Sequence, residues 1–307
     1  MKRRSLLVLV LTLMLSVILT ACGGGTTNQS EDKDADKKAQ QAGEVKELTV
    51  GLIPAETKMA PEVLEKFRTY LEDQTGLSVT MNDYPDYNGV VEALNYGKLD
   101  VAYLGPLTYV IAHHKSGAQA IVARTSNGEP FYYSYIIVHK DAPYNTLEDL
   151  LNDKANVDFA FGDPNSTSGS LVPGIELKER GVYRGKTDSD FKSVVFTGAH
   201  DVTALNVEKK QVTAGAIDSA YFDQLVAKGV VKEEDFKIIW KSDKLFQYPF
   251  VVKKGMDDAT VSKVQDAFLN LKDQDILDAF AADGFVKTSH EDYKAIEQAA
   301  EADGRLK

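Results

Sequence analysis

Residues 158–171 read Asp-Phe-Ala-Phe-Gly-Asp-Pro-Asn-Ser-Thr-Ser-Gly-Ser-Leu, and the reading of this stretch decides the fold. Asp158–Phe161 is a short apolar strand, and the segment from Ser168 to Glu179 spaces Leu171, Ile175 and Leu177 as a helix. Between them, Ser166, Thr167 and Ser168 put three consecutive hydroxyls at the helix start, bracketed by Gly162 and Gly169. A helix N-terminus offers unpaired N–H groups and a partial positive charge, so added hydroxyls make a cradle for an oxyanion. One hydroxyl is enough for a helix cap; three exceed that need. The loop is not a phosphate-transferring Walker sequence, because Ser170 follows the second glycine where such a loop carries Lys. Binding without phosphoryl transfer is the chemistry these residues suit.

Working outward, strands are expected at Glu47–Leu52, Leu77–Asn82, Val101–Leu104, Gln119–Thr125, Ser134–His139, Ser193–Phe196, Ala214–Ile217, Phe236–Trp240 and Phe250–Lys253, with helices between most of them. Helices are expected at Ala60–Gln74, Asp86–Tyr96, Pro106–Ser116, Asp201–Lys209, Ala220–Lys228, Thr260–Asn270 and His290–Ala302. Strand–helix alternation implies an α/β fold of mostly parallel sheets, with ligands gathering at the carboxyl ends of strands. Roughly 260 residues exceed one comfortable core, so two lobes with a cleft between them are expected. Residues 46–130 begin lobe 1, 131–240 form lobe 2, and 241–307 return to complete lobe 1, with hinge strands near Arg124–Ser134 and Trp240–Tyr248.

The chain starts Met-Lys-Arg-Arg, continues apolar from Leu6 to Leu19, and reaches Leu19-Thr20-Ala21-Cys22. A basic start, an apolar run shorter than the ~20 residues of a bilayer span, and small residues before a cysteine describe a lipoprotein signal over residues 1–21. Cys22, the sole cysteine, is the expected lipid attachment point at the outer face of the cytoplasmic membrane, and a disulfide fold is excluded. Residues 22–45, rich in Gly, Asp, Lys, Ala and Gln, are expected to be a flexible tether. Removing the signal takes away Lys2, Arg3 and Arg4, so the net charge goes from −11 to −14. Such a surface disfavours nucleic acid, and bilayer attachment then rests on the lipid. It also requires that an anion be met by local donors.

With these residues in view, the chain resembles the phosphonate/phosphite-binding subunit family of ABC importers, a branch of the type II periplasmic binding proteins. The resemblance runs from about Leu48 to Phe285. It rests on Asp86-Tyr87, on Gly97-Lys98-Leu99-Asp100-Val101-Ala102-Tyr103-Leu104-Gly105-Pro106, and on Tyr132-Tyr133-Ser134. It continues through Asp163-Pro164-Asn165-Ser166-Thr167-Ser168-Gly169, Gly198-Ala199-His200-Asp201 and Gly215-Ala216-Ile217-Asp218. It implies that Ser166, Thr167 and Ser168 hold phosphorus oxygens, that His200 joins them, and that Tyr87 and Tyr132 approach from the other side of the cleft. It implies an importer permease as partner, no cofactor, no metal and no catalytic residue; a monomer is the default. Family members that bind aminoethylphosphonate place carboxylates where this chain has Ala220 and Tyr248. A buried ammonium without a partner is costly, so phosphite or a small alkylphosphonate is the expected ligand. Asp218 is then a candidate acceptor for a protonated ligand oxygen and Tyr248 a wall of the site; Asp218 or Asp223 would have to take any amine.

Other readings of the same residues stay open. A hydrolase of phosphate esters would use a loop serine with His200 and Asp201, but no Gly-x-Ser-x-Gly elbow, metal cluster or transferring cation accompanies them. Aminoethylphosphonate or phosphate as ligand, and a sensory or adhesive lipoprotein without an importer, are the remaining alternatives. His113-His114 diverge by roughly 100° on a helix and are expected to be surface residues, as is the charged run Lys232–Asp235.

Overall fold

The computed structural model describes residues 46–55 and 59–306, so the signal, Cys22 and tether expectations lie outside the described residues. The chain builds β1 (Glu47–Leu52), α1 (Pro61–Thr75), β2 (Ser78–Asn82), α2 (Tyr87–Asn95), β3 (Val101–Tyr103), α3 (Pro106–Ser116) and β4 (Gln119–Thr125). It passes through β5 (Phe131–Tyr132) into β6 (Ser134–His139), α4 (Leu147–Asn152), β7 (Asp158–Phe161) and α5 (Val172–Glu179). A small hairpin of β8 (Tyr183–Gly185) and β9 (Asp188–Ser189) precedes β10 (Ser193–Phe196), α6 (His200–Glu208), β11 (Ala214–Asp218), α7 (Ser219–Ala227) and β12 (Phe236–Lys241). Then β13 (Leu245–Phe246) leads back to β14 (Pro249–Val252), α8 (Asp258–Leu269), α9 (Gln274–Ala279), β15 (Gly284–Lys287) and α10 (Lys294–Ala302).

These strands form a six-stranded sheet, ordered β15-β4-β14-β3-β1-β2, and a five-stranded sheet, ordered β10-β7-β11-β6-β12. In the first, β1 to β4 run one way while β14 and β15 oppose them. In the second, only β6 opposes the rest. Most strands therefore share a direction, although the opposed strands make about half of the neighbouring pairs antiparallel. The sheets are linked by two passages of chain, residues 126–133 and 242–248, and β5 pairs with β13 there as a two-stranded antiparallel ribbon.

Each sheet is covered on both faces, which is why its strands are nearly continuous apolar runs. In lobe 2, Ile136, Phe159, Phe161 and Ala216 face one core while Ile137, Ala160 and Ile217 face another. In lobe 1, Phe67 of α1 meets Phe250, Phe268 and Phe280, with ring centroids 5.2–6.1 Å apart. The amphipathic α1 begins with Pro61 and ends at Gly76, whose φ of 70° forms a left-handed cap.

Among the departures from the sequence reading, two concern residues it had placed. The helix expected from Ser168 opens one residue earlier, as a π turn over Thr167–Leu171 that passes into α5. Such wide turns are frequent at functional sites. His113 is half-buried rather than a surface residue, because its ring stacks on His290 with centroids 3.9 Å apart.

Candidate functional site

Several helix N-termini point into the space between the sheets. They belong to α2, whose first residue is Tyr87; α3, entered through Gly105-Pro106; the π turn opening at Thr167; α6, beginning at His200; and α7, beginning at Ser219. Each follows the carboxyl end of a strand or its loop, so their unpaired amides and positive dipole ends add up at one place.

The cradle loop is held by its own hydrogen bonds. Ser166 Oγ accepts from the Gly169 amide at 3.0 Å, which makes Ser166 the cap of the turn. The Gly162 amide donates to the Gly169 carbonyl at 2.8 Å, and a methyl on Gly169 would lie 3.0 Å from Ser166 Oγ and 3.1 Å from Gly162 Cα. The two glycines are there because strand end and turn touch backbone to backbone. Ser134 Oγ donates to the Ser168 carbonyl at 2.6 Å and ties the turn to β6. Thr167 Oγ1 accepts from the Leu107 amide of α3 at 2.8 Å, so this hydroxyl bridges the lobes and keeps its own proton to donate.

Other contacts also hold the lobes together. The Tyr87 amide lies 3.5 Å from Asp163 Oδ2, the His200 amide donates to the Ala55 carbonyl at 3.1 Å, and Arg305 Nη1 donates to the Pro164 carbonyl at 2.8 Å. The cleft is closed, and Ser166, Thr167, Ser168, His200, Tyr87, Tyr132, Tyr248 and Asp218 are all buried.

Against that background, two buried hydroxyls among the described residues have no hydrogen-bond partner: Ser168 Oγ and Tyr132 Oη. The Tyr132 phenol lies near Thr167 and Ser168, though neither contact has hydrogen-bond geometry. Leaving a buried hydroxyl unsatisfied costs about 1–3 kcal/mol, so two beside one cradle mark where an acceptor belongs.

Aromatic rings wall the site. Tyr248 packs against Tyr132, Tyr103 and Tyr221 with centroids 5.5, 5.7 and 5.9 Å away, and Tyr221 stacks on His200 at 5.4 Å. Burial holds the phenols of Tyr87, Tyr132 and Tyr248 well above the ordinary tyrosine range, and the nearby carboxylates push the same way. They remain protonated donors. His200 accepts at Nδ1 from the Asp218 amide at 3.4 Å, which leaves the proton on Nε2, 3.2 Å from Tyr248 Oη. Burial lowers its pKa and outweighs the pull of Asp218, so His200 is a neutral donor and not a cation.

The structure thus brings together every residue singled out in the cradle, with one change of role. Asp218 Oδ1 accepts from the Ala220 and Tyr221 amides at 2.7 and 3.1 Å, and Oδ2 faces Arg124 Nη2 at 3.2 Å. Both oxygens are engaged in capping α7 and in an ion pair, so Asp218 is not placed as a ligand acceptor. Asp223 is exposed on α7, and partial burial of its carboxyl together with the charge of Asp218 pushes its pKa up to about 6. Sequence reasoning missed Tyr103, Tyr221 and Arg124. Arg124 carried a signal, being the lone charge in the apolar strand Gln119–Thr125; the two tyrosines sit at a strand end and a helix start, which periodicity does not distinguish.

A separate crevice of about 840 Å3, lined by Ile53, Met59, Leu64 and Tyr84, shares only Tyr103 and Tyr221 with this site. Its walls are mainly apolar, and the convergent donors lie elsewhere.

Two α/β lobes joined by a ribbon, with helix N-termini and hydroxyls facing a closed cleft, define a type II periplasmic binding protein. Residues 50–293 match the family described as "ABC transporter, phosphonate, periplasmic substrate-binding protein". The chain belongs to that family, whose members bind solutes for transporters and are not enzymes. It is 34% identical over 230 residues to the phosphonates-binding periplasmic protein of Escherichia coli, covering 73% of this chain and 66% of that one. It is 31% identical over 267 residues to the phosphate-import protein PhnD of Mycolicibacterium smegmatis, covering 83% and 78%. Among solved structures, PhnD1 of Prochlorococcus marinus in complex with methylphosphonate superposes with a TM-score of 0.72 at 25% identity, covering 84% of this chain and 98% of that one.

Proposed function

We propose that this protein captures a small phosphorus oxyanion without an amine, phosphite or a short alkylphosphonate, and delivers it to an ABC permease. The observation that carries the reading is the pair of buried hydroxyls, Ser168 Oγ and Tyr132 Oη, left without partners beside the Thr167 turn. An anion there receives charge-assisted hydrogen bonds from Thr167, Ser168 and Tyr132, from the first amides of the turn, and from the neutral Nε2–H of His200. The tyrosine walls leave an apolar surface for a P–H or P–CH3 group. Tyr87 and α3 belong to one lobe and the cradle to the other, so ligand capture and closure are one event. The β5–β13 ribbon is the hinge in this reading.

Substrate without an amine follows from Ala220 and Tyr248, which carry no charge, and from the full engagement of Asp218. A relative named for phosphate import makes inorganic phosphate the competing ligand. Attachment to the outer face of the cytoplasmic membrane is through acylated Cys22 after removal of residues 1–21, residues 22–45 acting as the tether to a monomeric binding domain. Calorimetric titration of residues 43–307 with phosphite, methylphosphonate, aminoethylphosphonate, phosphate and sulfate tests the reading. Micromolar or tighter binding of the first two with weak aminoethylphosphonate is expected. Silence toward all four phosphorus ligands refutes the function, and preference for phosphate refutes the ligand.

A further inference from the structure

Arg124 is a fully buried cation for which an anion site made of hydroxyls and helix amides has no evident need. Moving a guanidinium out of water is costly unless its charge and donors are met. Three of its five N–H donors are engaged: Nε with Gln247 Oε1 at 2.6 Å, Nη1 with the Phe280 carbonyl at 2.5 Å, and Nη2 with Asp218 Oδ2 at 3.2 Å. Its central carbon lies 4.5 Å from the ring centroid of Tyr221 and 4.5 Å from that of Tyr248, and these two centroids are 5.9 Å apart, so the rings flank the cation at an angle. A pair that only latched the lobes would need Asp218 alone. Here the cation also lies against two rings that both contact His200.

The charges explain the arrangement. Asp218 sits directly behind His200, its amide on the imidazole, and an uncompensated carboxylate there would repel an arriving anion. Arg124 cancels that charge, so with His200 neutral the cluster presents no net negative charge to the ligand. Burial opposes its ionised form, but the oxygens of Tyr103, Tyr221, Asp218 and Tyr248 around it more than offset this, so it stays protonated. We infer that Arg124 is the charge determinant of the site, a positioning residue that acts through Asp218, Tyr221 and Tyr248 to select ligands whose only charge is negative. This rests on the binding role proposed above. An ammonium on the ligand would face Arg124 across the Tyr221 and Tyr248 rings and find both Asp218 oxygens already occupied.

The test uses the full folded chain, Arg124→Gln, Arg124→Lys and Asp218→Asn, titrated with methylphosphonate and aminoethylphosphonate across the second ionisation of each ligand. Arg124→Gln leaves the Asp218 charge uncancelled, so methylphosphonate binding should weaken about 10- to 100-fold while aminoethylphosphonate does not weaken, discrimination narrows and the preference for the dianion flattens. Arg124→Lys should keep discrimination and pH slope. Asp218→Asn removes the negative charge, its Oδ1 keeping the cap while its NH2 replaces the oxygen that faces Arg124 Nη2, and should tighten methylphosphonate about 10-fold. Equal weakening of both ligands with an unchanged pH slope would mean a merely structural Arg124 and overturns the inference. Should Arg124→Gln fail to fold, Asp218→Asn decides: tightening supports the inference and its absence overturns it. A parent chain that binds neither ligand refutes the proposed function instead.

Discussion

Ser168→Ala separates binding from folding more cleanly than any other change in the cradle. The Ser168 hydroxyl is fully buried and has no partner in the closed chain, so its removal breaks no hydrogen bond and deletes an unsatisfied polar atom. The melting temperature of the unliganded protein should stay within about 2 °C or rise, given roughly 2–4 °C per kcal/mol for chains of this general size. Affinity should behave differently. A hydrogen bond to a charged partner contributes about 1.5–3 kcal/mol, and about 1.4 kcal/mol is tenfold, so methylphosphonate binding should weaken roughly 10- to 150-fold. Calorimetry gives the affinity and differential scanning calorimetry the stability. Unchanged affinity would show that the orphaned hydroxyl does not face the ligand, and a fall of several degrees in the unliganded melt would show that it is structural. Either result refutes the placement of the anion.

Thr167→Val should lower both quantities, because Thr167 Oγ1 also accepts the Leu107 amide across the lobes; affinity is expected to fall about 10- to 100-fold, and slower ligand-induced closure by stopped-flow fluorescence would confirm the bridging role. Gly169→Ala should cost about 1–3 kcal/mol in chemical denaturation, since the added methyl meets Gly162 Cα at 3.1 Å; a stability equal to the parent would contradict the backbone contact. For His200 the folded pKa is depressed by burial, so the unfolded chain binds the proton first as pH falls. Its contribution is complete above the ordinary histidine value of about 6.5 and is lost progressively below it, and His200→Asn should flatten that part of the stability–pH curve. Between pH 7 and 8 methylphosphonate affinity should not depend on His200 ionisation, because its donor is a neutral N–H; a histidine-dependent loss over that range would sink the tautomer assignment.

Much of this architecture is legible in the amino acids. β1, β4, β6 and β7 begin and end where the apolar runs do, because both sheet faces are covered there. The Ser-Thr-Ser loop was legible because helix caps are local chemistry, whereas His200 was singled out by the resemblance alone. By contrast, β5 and β13 have two residues each, too few for any period, and they pair across more than a hundred residues of chain. Helix α4 carried a Thr146–Asp149 capping box but only six residues of amphipathic pattern. The roles of Arg124 and Asp218 were hidden for another reason. Charge in a sequence tells nothing of its counter-charge, and the two are 94 residues apart in the chain.

The place of β14 bears on how such a chain is made. This strand, entering after lobe 2, lies between β3 and β4 and is the sole link of β4 and β15 to the rest of their sheet. Lobe 2 is contiguous from β6 to β12 and has what it needs to fold as soon as it emerges, whereas lobe 1 must wait with half a sheet until the last quarter arrives. That order delays completion of the first-emerging half. The fold that crosses twice between its lobes thereby also keeps that half of the polypeptide open while it is being made.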